Sequence, residues 1–323
     1  MATTMENRAA VMEQLAVELE RRYVFEEKGR ALAAVLRNPP EELAGAAWGR
    51  ELAEALTRVL REQTADKHLQ VFYTADGGIP GSNLSEEEHR RLSAAQNGHI
   101  ARVERKPGNV GYLDLLGFDR PQNSGEKAVA AMNLLADCSA LIVDLTRCRG
   151  GSPEMVALFT SYLLDRPTHL NSLWWKEGDV TRPYWSLPYV PGRRFGGQRP
   201  LYVLTSSRTA SAGEEFAYNL KNLKRAVLVG ETTAGAANPG GIFPLPGGYE
   251  VFISLGRAVS PITGTNWEGV GVEPDLAVPK EEALSTAYRA ALEQVTAGLE
   301  GAEGAADRAL LAEARRAMAD LQA

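Results

Sequence analysis

Hydrophobic residues in the first 65 positions recur at the three- and four-residue spacing of amphipathic helices. Three such patterns follow one another, and the second ends before Pro39-Pro40, a dipeptide that interrupts helical structure. The periodic positions are Val11, Leu15, Val17 and Leu19, then Leu32, Val35 and Leu36, then Leu52, Leu56, Val59 and Leu60. The spacing predicts an N-terminal helical domain over residues 1–67, with a structural role and no chemistry of its own.

A different pattern begins at His68, where short apolar runs alternate with helical patterns. Three continuous apolar runs are typical of strands that are buried on both faces of a sheet. These runs cover 140–145, 201–205 and 226–230. Because helical patterns separate them, the order β-α-β-α-β predicts an α/β core domain over residues 68–280, with a central sheet flanked by helices. Two helices rich in Ala, Leu and Glu are expected over residues 281–323.

The composition excludes several classes of protein. Hydrophobic residues make up 44% and charged residues 24% of the 323 positions, which is typical of globular proteins and argues against disorder. The formal net charge is −6, and this mild acidity argues against nucleic acid as a partner, since phosphate binding usually requires a basic patch. No apolar run approaches the ~18 residues that a membrane span requires.

Targeting signals and metal motifs are equally scarce in the sequence. Residues 1–6 have neither the basic nor the apolar region of a secretory signal, so we expect no signal peptide in this chain and leave the compartment open between cytoplasm and export. Cys138 and Cys148 have no CxxC neighbours and are expected to be buried thiols. The four histidines and two cysteines show no metal-ligand spacing. We therefore expect neither a metal nor a cofactor, while the oligomeric state stays open.

Two strand ends carry residues suited to nucleophilic catalysis, because ligands of α/β sheets collect beyond the carboxyl ends of the strands. After the run 140–145 comes Gly150-Gly151, a turn in which backbone N–H groups can approach an anion closely. After the run 201–205 comes Ser211, flanked by small residues just before a helix. The helix N-terminus stabilises a developing alkoxide, so Ser211 is a candidate nucleophile. An N-cap role is the plainer interpretation of a serine at this position.

A serine nucleophile needs a base, and a carboxylate commonly orients that base. The histidines are His68, His89, His99 and His169. His68 lies where the helical domain meets the first strand, although its context alone does not mark it as catalytic. Glu268 lies between a tryptophan and a glycine, which suits either a partly buried carboxylate or a turn residue in a Gly-rich hairpin.

Five short motifs stand in a characteristic order between residues 100 and 280. They are Gly111-Tyr112-Leu113, Asp144-Leu145 with Gly151 following, Ser211-Ala212-Gly213-Glu214, 229–235 with the sequence VGETTAG, and Gly271-Val272-Glu273-Pro274-Asp275. In order and spacing they resemble the C-terminal-processing (tail-specific) peptidase family of serine proteases. The resemblance implies an α/β core of the ClpP/crotonase-like type and hydrolysis of peptide bonds in a peptide or protein substrate.

Departures from the family pattern point to one of its branches. The processing peptidases that this sequence resembles use a Ser–Lys dyad, in which the lysine follows the serine by 25 residues. In this sequence the residue 25 positions after Ser211 is Ala236, so the dyad lysine is absent. No PDZ-like insertion precedes the core either. Both features resemble the branch of the tricorn core protease and the interphotoreceptor retinoid-binding protein, whose proteolytic members use Ser–His–Glu. The resemblance thus implies a catalytic triad of Ser211, His68 and Glu268. It also implies an oxyanion hole formed by the amides of Gly150, Gly151 and Ala212.

Two other functions stay open on the same fold. The family pattern Asp-Leu-Arg-x-Asn-x-Gly-Gly is altered in the turn before Gly151, where Thr146 replaces Arg and Cys148 replaces Asn. The retinoid-binding relative works as a lipid-binding module, so a non-catalytic module for a hydrophobic ligand or peptide is one alternative. Its groove could be lined by Trp174, Trp175, Tyr184 and Trp185. An esterase acting through the same residues is the other alternative.

Overall fold

A computed structural model describes residues 2–74 and 85–321. The chain divides into two units. The first comprises residues up to 89 with 172–182 and 236–259, and the second comprises 90–171, 183–235 and the residues from 260 onward. The helices are α1 (Ala2–Arg22), α2 (Glu26–Arg37), α3 (Glu41–Gly45), α4 (Arg50–Thr64), α5 (Glu86–Ala95), α6 (Pro121–Leu135), α7 (Pro153–Ser161), α8 (Ala212–Asn222), α9 (Lys280–Leu299) and α10 (Ala305–Asp320). The strands are β1 (Gln70–Tyr73), β2 (Ile100–Lys106), β3 (Val110–Leu115), β4 (Ala140–Asp144), β5 (His169–Trp175), β6 (Val180–Trp185), β7 (Leu201–Thr205), β8 (Val227–Gly230), β9 (Gly240–Leu245), β10 (Tyr249–Ser254), β11 (Gly256–Val259) and β12 (Leu276–Ala277).

The predicted helical periodicity is confirmed in the first unit, except at Val17, whose side chain is 40% exposed. The buried leucines at predicted positions are Leu15, Leu19, Leu32, Leu36, Leu52, Leu56 and Leu60. They share one core because their spacing places them on a single face of each helix. The same core includes an antiparallel sheet of β1, β10 and β9, in which Val71 pairs with Val251. A second small sheet has the order β11, β5, β6.

The second unit is built on a six-stranded sheet with the order β12-β8-β7-β4-β3-β2. The strands from β12 to β3 run parallel, and β2 is antiparallel at one edge. The three predicted apolar runs form β4, β7 and β8, which lie side by side in this sheet, so the predicted α/β core is confirmed. Helices α9 and α10 cover the face of the sheet that carries Tyr112, Ile142 and Leu204.

Helices α7 and α8 follow the carboxyl ends of β4 and β7. The ring of Phe118 joins them, since its centroid lies 5.9 Å from that of Phe159 on α7 and 5.5 Å from that of Phe216 on α8. Because β4 and β7 are parallel neighbours, both helices begin at the same edge of the sheet. This edge brings together the Gly150-Gly151 turn and Ser211. None of the described helices has the length and apolar character to cross a membrane.

Candidate active site

Ser211 occupies the N-cap of α8 in a strained backbone conformation. Its φ is +54° and its ψ is −122°, a region that residues with a β-carbon rarely adopt. The N–H of Ser211 donates to Oε2 of Glu214 at 2.9 Å, which fixes this conformation. The side chain is partly exposed at a helix N-terminus, where partial positive charge favours an anion. The site therefore presents a hydroxyl in a setting that suits a nucleophile.

The carboxylate of Glu214 links Ser211 to two further segments. Glu214 is fully buried, and its Oε1 accepts hydrogen bonds from the Thr233 hydroxyl at 2.5 Å and the Gly235 N–H at 2.6 Å. The Thr233 hydroxyl oxygen in turn accepts the N–H of Val272 at 2.7 Å. Three motifs that are far apart in sequence are thus connected through one carboxylate. Sequence reasoning gave Glu214 no role, although the Ser-x-x-Glu spacing of a capping box was a signal for it.

The turn of Gly150 and Gly151 lies directly against Ser211. Gly150 and Gly151 have φ values of +107° and +136°, which only glycine adopts readily. A β-carbon on Gly150 would lie 2.6 Å from Cβ of Ser211, and one on Gly151 would lie 2.0 Å from the carbonyl oxygen of Phe118. The backbone of Gly150 therefore borders the Ser211 side chain with no space for a larger residue.

Hydrogen bonds fasten the two halves of this site to each other. Three of them join the segment after β7 to the turn after β4. They run from Ala210 N to Cys148 O at 3.1 Å, from Thr209 Oγ1 to Leu145 O at 2.8 Å, and from Ser206 Oγ to Thr146 O at 2.6 Å. Because the donors are a backbone amide and two buried hydroxyls, the spacing between turn and nucleophile is fixed by the fold rather than by a ligand.

Thr146 and Arg147 of the turn bind two carboxylates of the central sheet, those of Asp144 and Asp114. Thr146 donates its N–H (2.9 Å) and its hydroxyl (2.6 Å) to Oδ1 of Asp144, whose Oδ2 accepts the Tyr112 hydroxyl at 2.7 Å. Arg147 pairs with Asp114 at 2.5 Å. Burial raises the pKa of Asp114, and the guanidinium of Arg147 opposes that rise. Position 146, where the family pattern has arginine, is a threonine. The neighbouring Arg147 instead joins the turn to β3 through Asp114.

Cys148, one of the altered residues of the turn, lies close to Gly213. Cys148 is buried, and burial raises the pKa of its thiol to about 12, so it is not a nucleophile at neutral pH. A β-carbon on Gly213 would lie 3.0 Å from Sγ of Cys148, which explains why a glycine follows Ala212 here. Cys138 is also free and buried, so the prediction of two buried thiols is confirmed.

Glu268 lies on a loop that is hydrogen-bonded to the same network. The side chain is partly buried, and its backbone N–H donates to Oδ1 of Asn266 at 2.9 Å. The next residue, Gly269, donates its N–H to the carbonyl oxygen of Gly235 at 2.8 Å. Since the N–H of Gly235 is bonded to Glu214, the loop of Glu268 and the nucleophile segment are joined within the second unit.

His68 belongs to the first unit, just after α4. Asp66 is 1% exposed and holds the segment: its Oδ1 accepts the His68 N–H at 2.9 Å and its Oδ2 accepts the Tyr23 hydroxyl at 3.1 Å. The imidazole stacks on Phe252, with ring centroids 5.3 Å apart. Burial lowers the pKa of His68, Asp66 opposes this effect, and Arg61 adds to it. The imidazole is therefore neutral at pH 7, the state that a general base requires.

The second unit thus brings together Ser211, Ala212, Gly150 and Gly151 and fastens the loop of Glu268 to them, while His68 is carried by the first unit. Within either unit taken alone, the described residues contain no group of three His, Cys, Asp or Glu side chains placed to hold a metal.

Comparison with known proteins gives the family. Residues 109–278, slightly more than half of the chain, match Peptidase family S41. The chain therefore belongs to peptidase family S41, which agrees with the resemblance of its motifs. Carboxyl-terminal-processing peptidase 2 from the chloroplast of Arabidopsis thaliana is 29% identical over 180 residues, covering 53% of this chain and 32% of that peptidase. The chain thus spans about a third of the length of this curated relative.

Solved structures share the fold at low sequence identity. A lipoprotein from Streptococcus agalactiae superposes with a TM-score of 0.59 at 17% identity, over 89% of this chain and 96% of the lipoprotein. The tricorn protease gives a TM-score of 0.52 at 12% identity, over 99% of this chain and 37% of tricorn. These similarities extend the fold assignment beyond the segment that matches the family.

Proposed function

We propose that this chain is a serine peptidase that cleaves peptide bonds in a peptide or protein substrate. The observation that carries the proposal is the strained Ser211, which lies at the N-terminus of α8 with the Gly150 backbone against its side chain. This strand-turn-helix geometry exposes a hydroxyl beside backbone amides, as acyl transfer requires. Membership of peptidase family S41 supports the same reaction.

In this mechanism Ser211, His68 and Glu268 act as nucleophile, base and orienting carboxylate. Oγ of Ser211 attacks the scissile carbonyl carbon while the neutral imidazole of His68 takes its proton. The tetrahedral intermediate collapses as His68 returns that proton to the leaving amine. Water then repeats the sequence on the acyl-enzyme. A positioned base of this kind contributes about 10²–10⁴-fold to the rate.

The oxyanion of the intermediate is assigned to the N–H groups of Ala212 and of the Gly150-Gly151 turn. Ala212 is the first residue of α8, so its N–H has no partner within the helix. The fixed spacing between turn and nucleophile supports this assignment, because preorganised donors need no rearrangement during the reaction. Removal of one such donor typically costs about 10²–10³-fold in kcat.

The lowered pKa of His68 supports its role as base. Protonation of the imidazole in the acid range would remove the base, so a low pKa extends activity toward acid pH. The carboxylate of Asp66 accepts the backbone N–H of His68 and so fixes the segment that carries the imidazole.

Hydrolysis of a fluorogenic casein substrate tests the proposal. Ser211→Ala should abolish turnover and leave the thermal melt nearly unchanged. Ser207→Ala is the matched control, because Ser207 is an exposed serine four positions earlier. Turnover that survives in Ser211→Ala would show that Ser211 is not the nucleophile. Binding of hydrophobic ligands without any turnover in the natural chain would favour the binding-module alternative.

A further inference from the structure

Two arginines of the second unit pack on one buried aromatic ring. The guanidinium carbon of Arg199 lies 4.2 Å from the ring centroid of Phe195, and that of Arg225 lies 5.8 Å from the same centroid. The ring of Phe195 is fully buried. Both guanidiniums therefore lie within about 6 Å of the centre of the same ring, a distance at which a cation is attracted to an aromatic face.

Backbone carbonyls, not carboxylates, hold both guanidiniums in place. The acceptors are the carbonyl oxygens of Cys138, Arg194 and Phe195 for Arg199, and those of Leu163 and Gly196 for Arg225. Among the residues that the structure describes, neither arginine forms an ion pair. A guanidinium has five N–H donors, so each arginine keeps donors that no protein group uses.

Burial leaves these two positive charges incompletely neutralised. It lowers the pKa of both Arg199 and Arg225, that of Arg225 to about 10. Asp165 opposes the lowering at Arg225, whereas the neighbouring charge of Arg199 adds to it. Both side chains remain cationic at pH 7, so the fold keeps two charges together at an electrostatic cost.

Both arginines line a cavity of about 540 Å³ at the amino-terminal ends of β7 and β8. Lys221 in its wall is paired with Asp275 at 3.5 Å. Lys224 lies on its rim and is exposed, and it has no charged partner among the described residues. Asp275 also lines the cavity, where it is the partner of Lys221. Three cationic residues of the lining form no ion pair with any described carboxylate: Arg199, Lys224 and Arg225.

We propose that this cavity binds a phosphate group, either free or as part of a small phosphorylated molecule. The N–H donors of Arg199 and Arg225 that are not bonded to carbonyls remain for the phosphate oxygens, and Lys224 adds an ammonium from the rim. A phosphate dianion neutralises the two arginines together, which a single carboxylate cannot do. The cavity is larger than one phosphate ion, so it has room for an attached organic group.

The cavity lies at the opposite edge of the sheet from Ser211. β7 begins at Leu201 beside the cavity and ends at Thr205 before the nucleophile segment, and five residues of strand span about 16 Å. A ligand here touches none of the residues assigned to hydrolysis. The site is therefore a second, non-catalytic one and does not depend on the proposed peptidase activity.

Isothermal titration calorimetry of the full chain with inorganic phosphate tests the proposal. We expect saturable binding to one site, with Kd raised about tenfold or more by Lys224→Gln and by Arg199→Gln, since each removes a charged hydrogen-bond donor. Arg315→Gln is the control, because Arg315 is an exposed arginine on α10 that pairs with Glu300 outside the cavity. It should leave Kd unchanged. If Arg199→Gln fails to fold, the exposed Lys224 still decides the question.

Titrations with glycerol 3-phosphate and with acetate then distinguish the class of ligand. Tighter binding of glycerol 3-phosphate than of phosphate assigns a phosphorylated molecule, and weaker binding assigns free phosphate. The proposal is overturned by an absence of saturable phosphate binding or by equal weakening in Arg315→Gln. Acetate that binds as tightly as phosphate would overturn phosphate as the ligand class.

Discussion

The α-carbon of Gly150 lies against the side chain of Ser211. A β-carbon at position 150 would be 2.6 Å from Cβ and 3.1 Å from Oγ of Ser211, and the φ of Gly150 is +107°. Both the contact and the backbone conformation exclude any other residue. Gly150 and Ser211 therefore form one geometric unit, although 61 positions separate them in the sequence.

Substitution of Gly150 tests this relationship. Gly150→Ala should lower kcat/KM for peptide hydrolysis by about 10²-fold or more, because the new methyl group displaces either the turn that is proposed to bind the oxyanion or the Ser211 hydroxyl. Steady-state kinetics measure the effect. Gly125→Ala is the control, since a β-carbon there meets its nearest neighbour at an ordinary 3.7 Å. Full activity in Gly150→Ala would contradict the described packing.

Glu214→Gln should weaken both stability and activity. The two oxygens of Glu214 accept N–H groups from opposite sides, those of Ser211 and Gly235. A glutamine must turn its own NH₂ toward one of these donors, which costs about 1–3 kcal/mol in the free energy of unfolding. We expect kcat/KM to fall roughly tenfold or more, because Ser211 loses its anchor. Denaturant unfolding and kinetics measure the two effects.

Glu300→Gln provides the comparison for that variant, because Glu300 is an exposed carboxylate at the end of α9. Glu300→Gln should change neither the free energy of unfolding nor kcat/KM. An unchanged free energy of unfolding in Glu214→Gln would mean that the hydrogen bonds of Glu214 do not hold the three motifs together.

Cys148 and Gly213 should show coupled effects on stability. Gly213→Ala places a β-carbon 3.0 Å from Sγ of Cys148 and 3.3 Å from Cγ2 of Thr209, so it should destabilise the fold. Cys148→Ala removes the sulfur and creates space for that methyl group. The double variant should therefore lose less than the sum of the single variants, by about 0.5 kcal/mol or more. A double-mutant cycle by urea unfolding measures this coupling, and strict additivity would count against the contact.

The buried carboxyl of Glu215 should make stability fall as pH rises. Burial raises its pKa from 4.5 to about 8, and the nearby carboxylate of Glu154 adds to the rise, whereas Asn171 and Asn219 oppose it. Between these two pH values the folded protein keeps a proton that the unfolded chain has lost. The contribution of Glu215 is therefore largest below pH 4.5 and declines until about pH 8.

Glu215→Gln isolates this effect, because the amide cannot ionise. The variant should gain stability relative to the natural chain as pH rises from 5 to 8, by an amount on the order of a few kcal/mol. Urea unfolding at several pH values measures the difference. An identical pH dependence of the two proteins would show that Glu215 does not hold a proton in the folded state.

Much of the fold was predictable because its signals are local. The spacing of Leu15, Leu19 and Leu56 predicts helices, and the continuous apolar runs predict β4, β7 and β8, since burial on one or both faces imposes those patterns. The membership of residues 172–182 and 236–259 in the unit of the N-terminal helices was not predictable. It depends on strand pairing such as Val71 with Val251, and no local pattern records the partner of a strand.

The candidate site also contains some residues that the sequence could predict and some contacts that it could not. Gly150, Gly151 and Ser211 could be proposed because glycines and small residues after strands have a direct structural meaning. The bonds from Glu214 to Thr233 and Gly235 and the proximity of Gly213 to Cys148 could not, since each depends on distances between segments that are far apart in sequence. The assignments of His68 and Glu268 rest on the family resemblance and remain predictions.

The most direct test of the central claim is to locate the residue that reacts with a fluorophosphonate. The intact protein is incubated with the reagent, and peptide mass spectrometry identifies the modified residue. The account predicts a single adduct on Oγ of Ser211, and its loss in His68→Ala as the base is removed. An adduct on Ser206 or Ser207 instead, or labelling of Ser211 only after unfolding, would contradict it.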